Sequence, residues 1–131
     1  MSLDIDRLDP FTRQYMETAL WSSNDESDEA GGDPMDENYD LSDIADETVA
    51  QMIADCRKFQ EENKADLEAA YVVGKTPSDA GHDFYLTRCG HGVGFWEKGD
   101  WPEEIGERLT AAAEAFKEYN LYVGNDGKIH N

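Results

Sequence analysis

The sequence feature that most constrains folding is an acidic stretch that contains no basic residue. Between Arg13 and Arg57 the chain has thirteen carboxylates and no lysine or arginine, and eleven of these carboxylates lie between Asp25 and Glu47. Like charges at this density repel one another and oppose collapse into a core. We therefore expect the stretch to lie on the surface, either as a solvated connection or as a surface whose negative potential is used.

The negative charge is local rather than spread over the chain. The net charge of the 131 residues is -19, and residues 14–56 carry -13 of it, which leaves -6 for the remainder. Adaptation to high salt would distribute acids over the whole surface, so the local concentration favours a dedicated electronegative patch. A chain this acidic is also repelled by phosphate backbones and anionic lipid headgroups. We expect no direct binding to nucleic acid and none to membranes.

Length and composition predict one soluble domain that spans residues 1–131. A hydrophobic content of 39%, with fourteen aromatic residues, suffices for one modest core. The chain has no run of about twenty apolar residues to span a bilayer, and Met1–Pro10 lacks the basic start and apolar run of a signal peptide. Two cysteines are too few for a disulfide framework. These features predict a cytoplasmic protein.

Hydrophobic periodicity predicts about three helices. The first begins at Asp9–Pro10, where the Asp9 carboxylate can cap free amides and proline suits the first helical position, and it runs to about Trp21. The second begins near Asp46, and its continuation through Tyr71 is left open. The third opens around Pro102, where Asp100 and Glu103 resemble a capping box, and ends near Asn120. Their apolar stripes are Phe11, Tyr15, Ala19 and Leu20; Val49, Met52, Ile53, Cys56 and Phe59; and Ile105, Leu109, Ala112, Ala113 and Phe116.

Alternating residues predict two hairpins. Residues 84–88 and 93–96 carry strand periodicity and are joined by the glycine-containing turn 89–92, while residues 74–81 read as a loop. The second hairpin pairs residues 121–123 with residues 128–129. The predicted fold class is therefore α+β, a small antiparallel sheet of two hairpins packed against about three helices, with a long acidic surface loop at residues 22–45.

The acidic stretch supplies the first set of candidate site residues. Its later acids recur at intervals of four, three and four, which would place them on one helical face with Leu41 and Ile44 on the other. That spacing makes the charge density comparable with that of duplex DNA in order of magnitude. We expect these acids to form a surface for a basic partner: Asp36, Asp40, Asp43 and Glu47, extended by Asp25, Glu26, Asp28 and Glu29.

The predicted first hairpin supplies an alternative site. It brings together residue types that enzymes use, namely His82, Tyr85, Arg88, His91 and Trp96. No nucleophile–base or metal-ligand spacing supports it, because Cys89 and His91 lie on a turn without an orienting group and a zinc site with His82 lacks a fourth ligand. A calcium loop in the acidic stretch fails because Glu29 stands where glycine is required. We expect no cofactor and no bound metal.

Tryptophans provide a further candidate surface. Trp21, Trp96 and Trp101 are available for recognition, although aromatic residues of a small domain usually lie in the core. Trp101 lies between Asp100 and Pro102 at a helix start, so we predict it to be the exposed one.

Several segments of the chain carry a family resemblance. The chain resembles small uncharacterised proteins encoded by tailed bacteriophages and prophages, over about Phe11 to Ile129, in the segments FTRQYMETALW, DCRKF, GHDFYLTRCGHGVGFW and YVGNDGKI. The resemblance implies an accessory role in the bacterial cytoplasm during phage growth and transfers no catalytic residue.

The hypothesis that best combines these observations is a non-enzymatic accessory protein that binds a basic host or phage protein, with nucleic-acid mimicry as one form of that binding. Two alternatives stay open, an acidic loop without any binding role and an enzyme of unknown type that uses residues 82–96. Assembly as a homo-oligomer also stays open.

Overall fold

The computed structural model describes residues 8–25, 33–90, 94–95 and 101–131. In chain order the elements are α1 (Pro10–Ser22), β1 (Asn24–Asp25), β2 (Asp33–Pro34), a first 3-10 turn (Met35–Glu37), a second 3-10 turn (Leu41–Asp43), α2 (Asp46–Glu62), α3 (Lys64–Val72), α4 (Pro77–Arg88), α5 (Glu103–Glu114), β3 (Tyr122–Val123) and β4 (Ile129–His130). The described part is mainly helical, and its strands are two residues long. The predicted α+β fold of two hairpins packed on three helices is therefore wrong.

The error lies in α4, which replaces the predicted strand at residues 84–88 and the part of the predicted loop from residue 77 to residue 81, while residues 74–76 are a loop as predicted. The helix starts with a capping box in which Thr76 Oγ1 accepts from Asp79 N at 3.1 Å and Asp79 Oδ2 accepts from Thr76 N at 3.0 Å, followed by Pro77 at the first position. From Ala80 to Arg88 every residue except His82 is buried. A helix buried on nearly all sides has no polar face, so its sequence lacks the helical period and the short alternation misled the prediction.

The first helix was predicted correctly, although its cap differs from expectation. Helix α1 starts at Pro10, and its predicted stripe of Phe11, Tyr15, Ala19 and Leu20 is buried. Asp9 occupies the cap position without a side-chain cap bond, and its carboxylate instead accepts a hydrogen bond from Gln60 Nε2 at 3.2 Å. Asp9 thus ties the start of α1 to α2.

Helices α1 and α4 pack in close backbone contact at Gly81. A Cβ added at Gly81 would lie 2.1 Å from the Phe11 carbonyl oxygen, so only glycine permits this approach. The two helices thereby bring Phe11 and Tyr15 onto Phe84, with ring centroids 5.9 and 5.2 Å apart. Phe59 of α2 completes the cluster at 4.2 Å from Phe84. This aromatic cluster is the centre of the core.

The predicted second helix is divided into two. Helix α2 begins at Asp46 as expected and buries Val49, Met52, Cys56 and Phe59. It ends at Glu62, and the side chain of the following residue, Asn63, donates to the Phe59 carbonyl oxygen at 2.9 Å before α3 runs from Lys64 to Val72. The continuation through Tyr71, which the sequence left open, is therefore helical but belongs to a separate helix.

The C-terminal elements follow the sequence pattern more closely. Helix α5 starts at Glu103 and buries Leu109 and Ala113, but it ends at Glu114, well before the predicted end at Asn120. The second hairpin is confirmed, with Tyr122 opposite His130 and Val123 opposite Ile129. Asp100, residues 91–92 of the predicted turn, and residues 93 and 96 of the predicted second strand lie outside the described residues.

Candidate functional site

The described part of the acidic loop is an ordered surface segment seated on the core. We call residues 33–47 the acidic segment. Met35, Leu41 and Ile44 point inwards and are buried. The backbone is held at both ends, because Met35 N donates to Ser23 O at 2.9 Å and Ala45 N donates to Ile129 O at 2.9 Å. The carboxylates between these anchors therefore occupy defined positions.

The predicted helical row of acids does not form. Asp36 lies in the first 3-10 turn, Asp40 is the N-cap of the second, and Glu47 lies in the first turn of α2. These residues belong to three separate elements, so a spacing of four, three and four does not put them on one helical face. Buried side chains, namely Met35, Leu41 and Ile44, recur along the segment, and Asp36, Asp40 and Glu47 between and after them are exposed.

Two of the predicted acids have local structural roles. Asp40 Oδ1 accepts from Ser42 N at 2.9 Å and also from the Ser42 hydroxyl, while Asp43 Oδ2 accepts from Asp40 N at 2.9 Å. The bond from the Ser42 hydroxyl, with that from the Ser42 amide, holds the pKa of Asp40 below its ordinary value. The capping box therefore keeps Asp40 ionised and fixes its orientation.

Exposed carboxylates of the segment form what we call the acidic face. Its members are Asp36, Glu37, Asp40, Asp46 and Glu47, of which Glu37 and Asp46 were not singled out from the sequence. None of them forms an ion pair with a cation of the described chain, whereas the paired bases contact acids elsewhere, such as Arg13 with Glu17 and Arg108 with Asp66. The charge of the acidic face is thus not neutralised by the described residues.

The earlier predicted acids are only partly covered by the structure. Asp25 lies in β1, where its backbone is opposite Asp33 of β2, and its side chain is outside the described part. Glu26, Asp28 and Glu29 lie outside the described residues, so the predicted extension of the acidic face stays a prediction.

The alternative site was predicted on a hairpin that is absent, and its central residues are structural. Tyr85 is buried and its hydroxyl donates to the Tyr119 carbonyl oxygen at 2.8 Å. His91 and Trp96 lie outside the described residues. Two surface grooves of about 270 and 290 Å³ lie elsewhere, beside α2 and α3, and neither is lined by His82, Tyr85 or Arg88.

Arg88 is a buried cross-link between helices rather than a ligand-binding cation. Its guanidinium donates to Asp55 Oδ2 at 2.9 Å, to the Tyr15 hydroxyl at 3.0 Å, and to the carbonyl oxygens of Phe116 and Lys117 at 2.8 and 2.7 Å. Burial raises the pKa of Tyr15 well above its ordinary value, although the nearby Arg88 charge opposes the shift. Arg88 therefore joins α1, α2 and the chain just after α5 to α4.

His82 belongs to a different arrangement at the edge of the core. Its Nδ1 lies 2.8 Å from Asp83 Oδ1, and Asp83 Oδ2 accepts from Trp101 Nε1 at 2.6 Å. Trp101 is buried, so the prediction that it is the exposed tryptophan is wrong. Of the two tryptophans that the structure describes, Trp21 is the exposed one, with 43% exposure, and it stacks on His82. Asp83 was not among the residues predicted for a site. The signal that could have identified it is that this acid directly precedes the apolar residues 84–86.

Neither a group of metal-ligating side chains nor a membrane-spanning helix occurs in the described residues. Across residues 8–25, 33–90, 94–95 and 101–131, no three histidine, cysteine, aspartate or glutamate side chains are grouped so that they could hold a metal ion. Within the same ranges, no helix has both the length and the apolar character needed to cross a bilayer.

Comparison of the chain with protein-family models, with curated proteins and with solved structures finds no match.

Proposed function

We propose that the protein is a binding protein whose acidic face engages a basic site on another protein. The observation that carries the proposal is that five exposed carboxylates without a described counterion lie on a segment fixed at both ends to the core. An acidic connection without a role does not require such anchoring. Fixed charges also lose less conformational entropy on binding than charges on a free loop.

Charge complementarity determines what kind of partner fits. A basic site is attracted over roughly 10 Å at 0.1 M salt and loses that attraction as salt rises. A site that normally holds nucleic acid is one basic site of this kind, and a partner that uses it is expected to release the protein when duplex DNA is added. On the sequence resemblance, the partner is a host or phage protein in the bacterial cytoplasm.

A pair of charge-matched variants tests the proposal. The first variant carries D36N, E37Q, D46N and E47Q, which removes four charges of the acidic face and leaves the Asp40–Asp43 capping box intact. The control carries E62Q, E103Q, E104Q and E114Q, which removes four exposed charges elsewhere, two of them also in the first turn of a helix. Both variants change the net charge equally.

The measurement is capture of partners from phage-infected cell lysate over a salt series, followed by affinity measurement with the purified partner. We expect the first variant to lose capture at low salt and the control to keep it. Equal loss in both variants would show that only net charge matters. Capture that persists in both variants, or that is insensitive to salt, would refute the role of the acidic face.

A further inference from the structure

Trp21, at the end of α1, is an exposed aromatic residue in a fixed position. The residue is 43% exposed although its neighbours Ala19 and Leu20 are buried. Its ring lies against the His82 imidazole, with centroids 5.7 Å apart and ring planes 29° apart. The indole is therefore packed on one side and leaves ring surface in contact with solvent.

The imidazole behind Trp21 is itself held rigidly. Asp83 Oδ1 lies 2.8 Å from His82 Nδ1, and Asp83 is fixed by the 2.6 Å hydrogen bond from Trp101 Nε1. Both Asp83 and Trp101 are buried. This chain of contacts orients the imidazole and so supports the indole from the core. An aromatic side chain with few rotamers left to lose is a favourable anchor for a partner.

The start of the acidic segment is hydrogen-bonded to the chain just after α1. The Ser23 carbonyl oxygen, two residues after Trp21, accepts from Met35 N at 2.9 Å, and Met35 is fully buried. The exposed Asp36 and Glu37 follow directly in the first 3-10 turn. On the other side of Trp21, one helical turn back, Glu17 is paired with Arg13. The backbone bond between Ser23 and Met35 therefore brings the chain segment that carries Asp36 and Glu37 to the end of α1, where Trp21 is exposed.

We infer that Trp21 is the aromatic anchor of the acidic face and takes an arginine side chain of the partner. A guanidinium is planar and weakly hydrated, so it stacks on an indole while its N–H groups donate to neighbouring carboxylates. A lysine ammonium makes the charge contact without the planar stack. This inference rests on the proposed function and adds which basic residue the surface selects.

The test compares peptide probes of equal charge on the full-length protein. Fluorescently labelled nona-arginine and nona-lysine are titrated at low salt against the wild type, W21L and W21F. We expect nona-arginine to bind the wild type more tightly than nona-lysine. W21L should weaken nona-arginine about two- to fivefold, and W21F should weaken it less, since the phenyl ring keeps part of the cation–π attraction. V72A, at the 85% exposed Val72 of α3, controls for loss of exposed apolar surface and should bind as wild type.

The outcomes separate this inference from the proposed function. If the four-acid variant weakens both peptides but W21L binds nona-arginine as tightly as the wild type, the anchor is wrong and the acidic face stands. If the wild type binds neither peptide at low salt, both are wrong. If W21L unfolds, the wild type is titrated with nona-arginine instead and the NMR resonance of the Trp21 indole N–H is followed. That resonance is assigned by its absence from the spectrum of W21F. A shift of that resonance on adding nona-arginine supports the anchor, and an unchanged resonance overturns it.

Discussion

The acidic segment and α4 use charged residues in opposite ways. In the acidic segment the carboxylates point into water, and their described bonds stay within the segment, as between Asp40 and Ser42. In α4 the charged Asp83 and Arg88 point inwards and bond to residues of other elements. The carboxylates of the acidic segment are thus exposed to solvent, whereas the charged side chains of α4 stabilise the fold.

This difference teaches that residue type alone does not identify a site. Arg88 and Tyr85 have the chemistry of an active site, but the Arg88 side chain is buried and its guanidinium already donates to two side chains and two backbone carbonyl oxygens. The acidic face consists of carboxylates of a kind found on any protein surface, and what distinguishes them is that they form no ion pair with a described cation and so are free to attract a basic partner. Substitutions in the two regions should therefore differ in kind, affecting stability in α4 and binding in the acidic segment.

The largest expected effect is that of R88M. Methionine keeps much of the apolar stem but removes four hydrogen bonds and leaves the Asp55 charge partly buried without its partner. We expect a loss of about 3 to 5 kcal/mol in the free energy of unfolding, as for other broken buried ion pairs. Urea denaturation at neutral pH measures it.

The matched control for R88M is R13M, which breaks the exposed pair with Glu17 in α1. Surface pairs of this kind contribute at most about 1 kcal/mol. If R88M and R13M destabilise the protein equally, the claim that the buried bonds of Arg88 stabilise the fold more than an exposed ion pair does is wrong.

A smaller effect is expected from G81A, and its sign is informative. Helix propensity alone predicts that alanine stabilises a helix relative to glycine by up to about 1 kcal/mol. The added Cβ would instead meet the Phe11 carbonyl oxygen, a backbone atom that cannot rotate away, so α1 and α4 must separate. We expect a net destabilisation of about 1 to 3 kcal/mol, typical of overpacking. Stabilisation by G81A in thermal unfolding would show that the close approach of the two helices is absent.

The sequence predicted those elements whose faces differ in polarity. Helices α1 and α2 and the terminal hairpin were anticipated because each has one apolar face or a glycine-containing turn, as at Gly124 and Gly127. Helix α4 was missed because burial of both faces erases the pattern. The Thr76–Pro77–Asp79 start signal was present in the sequence, but the alternation after it outweighed it.

The candidate site was predictable in composition and not in geometry. The acids of the segment were found by counting charges, but the row they were expected to form depended on a helix that the structure replaces with two 3-10 turns. Local side-chain bonds explain the replacement, because aspartate and serine compete with helical hydrogen bonding by capping nearby backbone amides. The role of Trp21 was hidden because its support, His82, is 61 residues away in the chain.

The smallest expected effect is a pH dependence within the acidic segment. The pKa of Asp40 is lowered in the folded protein, first by the Ser42 hydroxyl and then by the Ser42 amide. A lowered carboxyl pKa contributes stability above the unfolded value of about 3.9, and this contribution is lost as the pH falls through the folded pKa. S42A removes the hydroxyl donor, so it should lower the urea midpoint slightly at pH 7, by less than G81A does, and progressively less below pH 4. Asp40 is almost fully exposed, which keeps the effect small. An S42A deficit that is the same at pH 7 and pH 2.5 would mean that the Asp40 charge takes no part in holding the turn, and that the acidic segment is fixed by its buried side chains and its two backbone anchors.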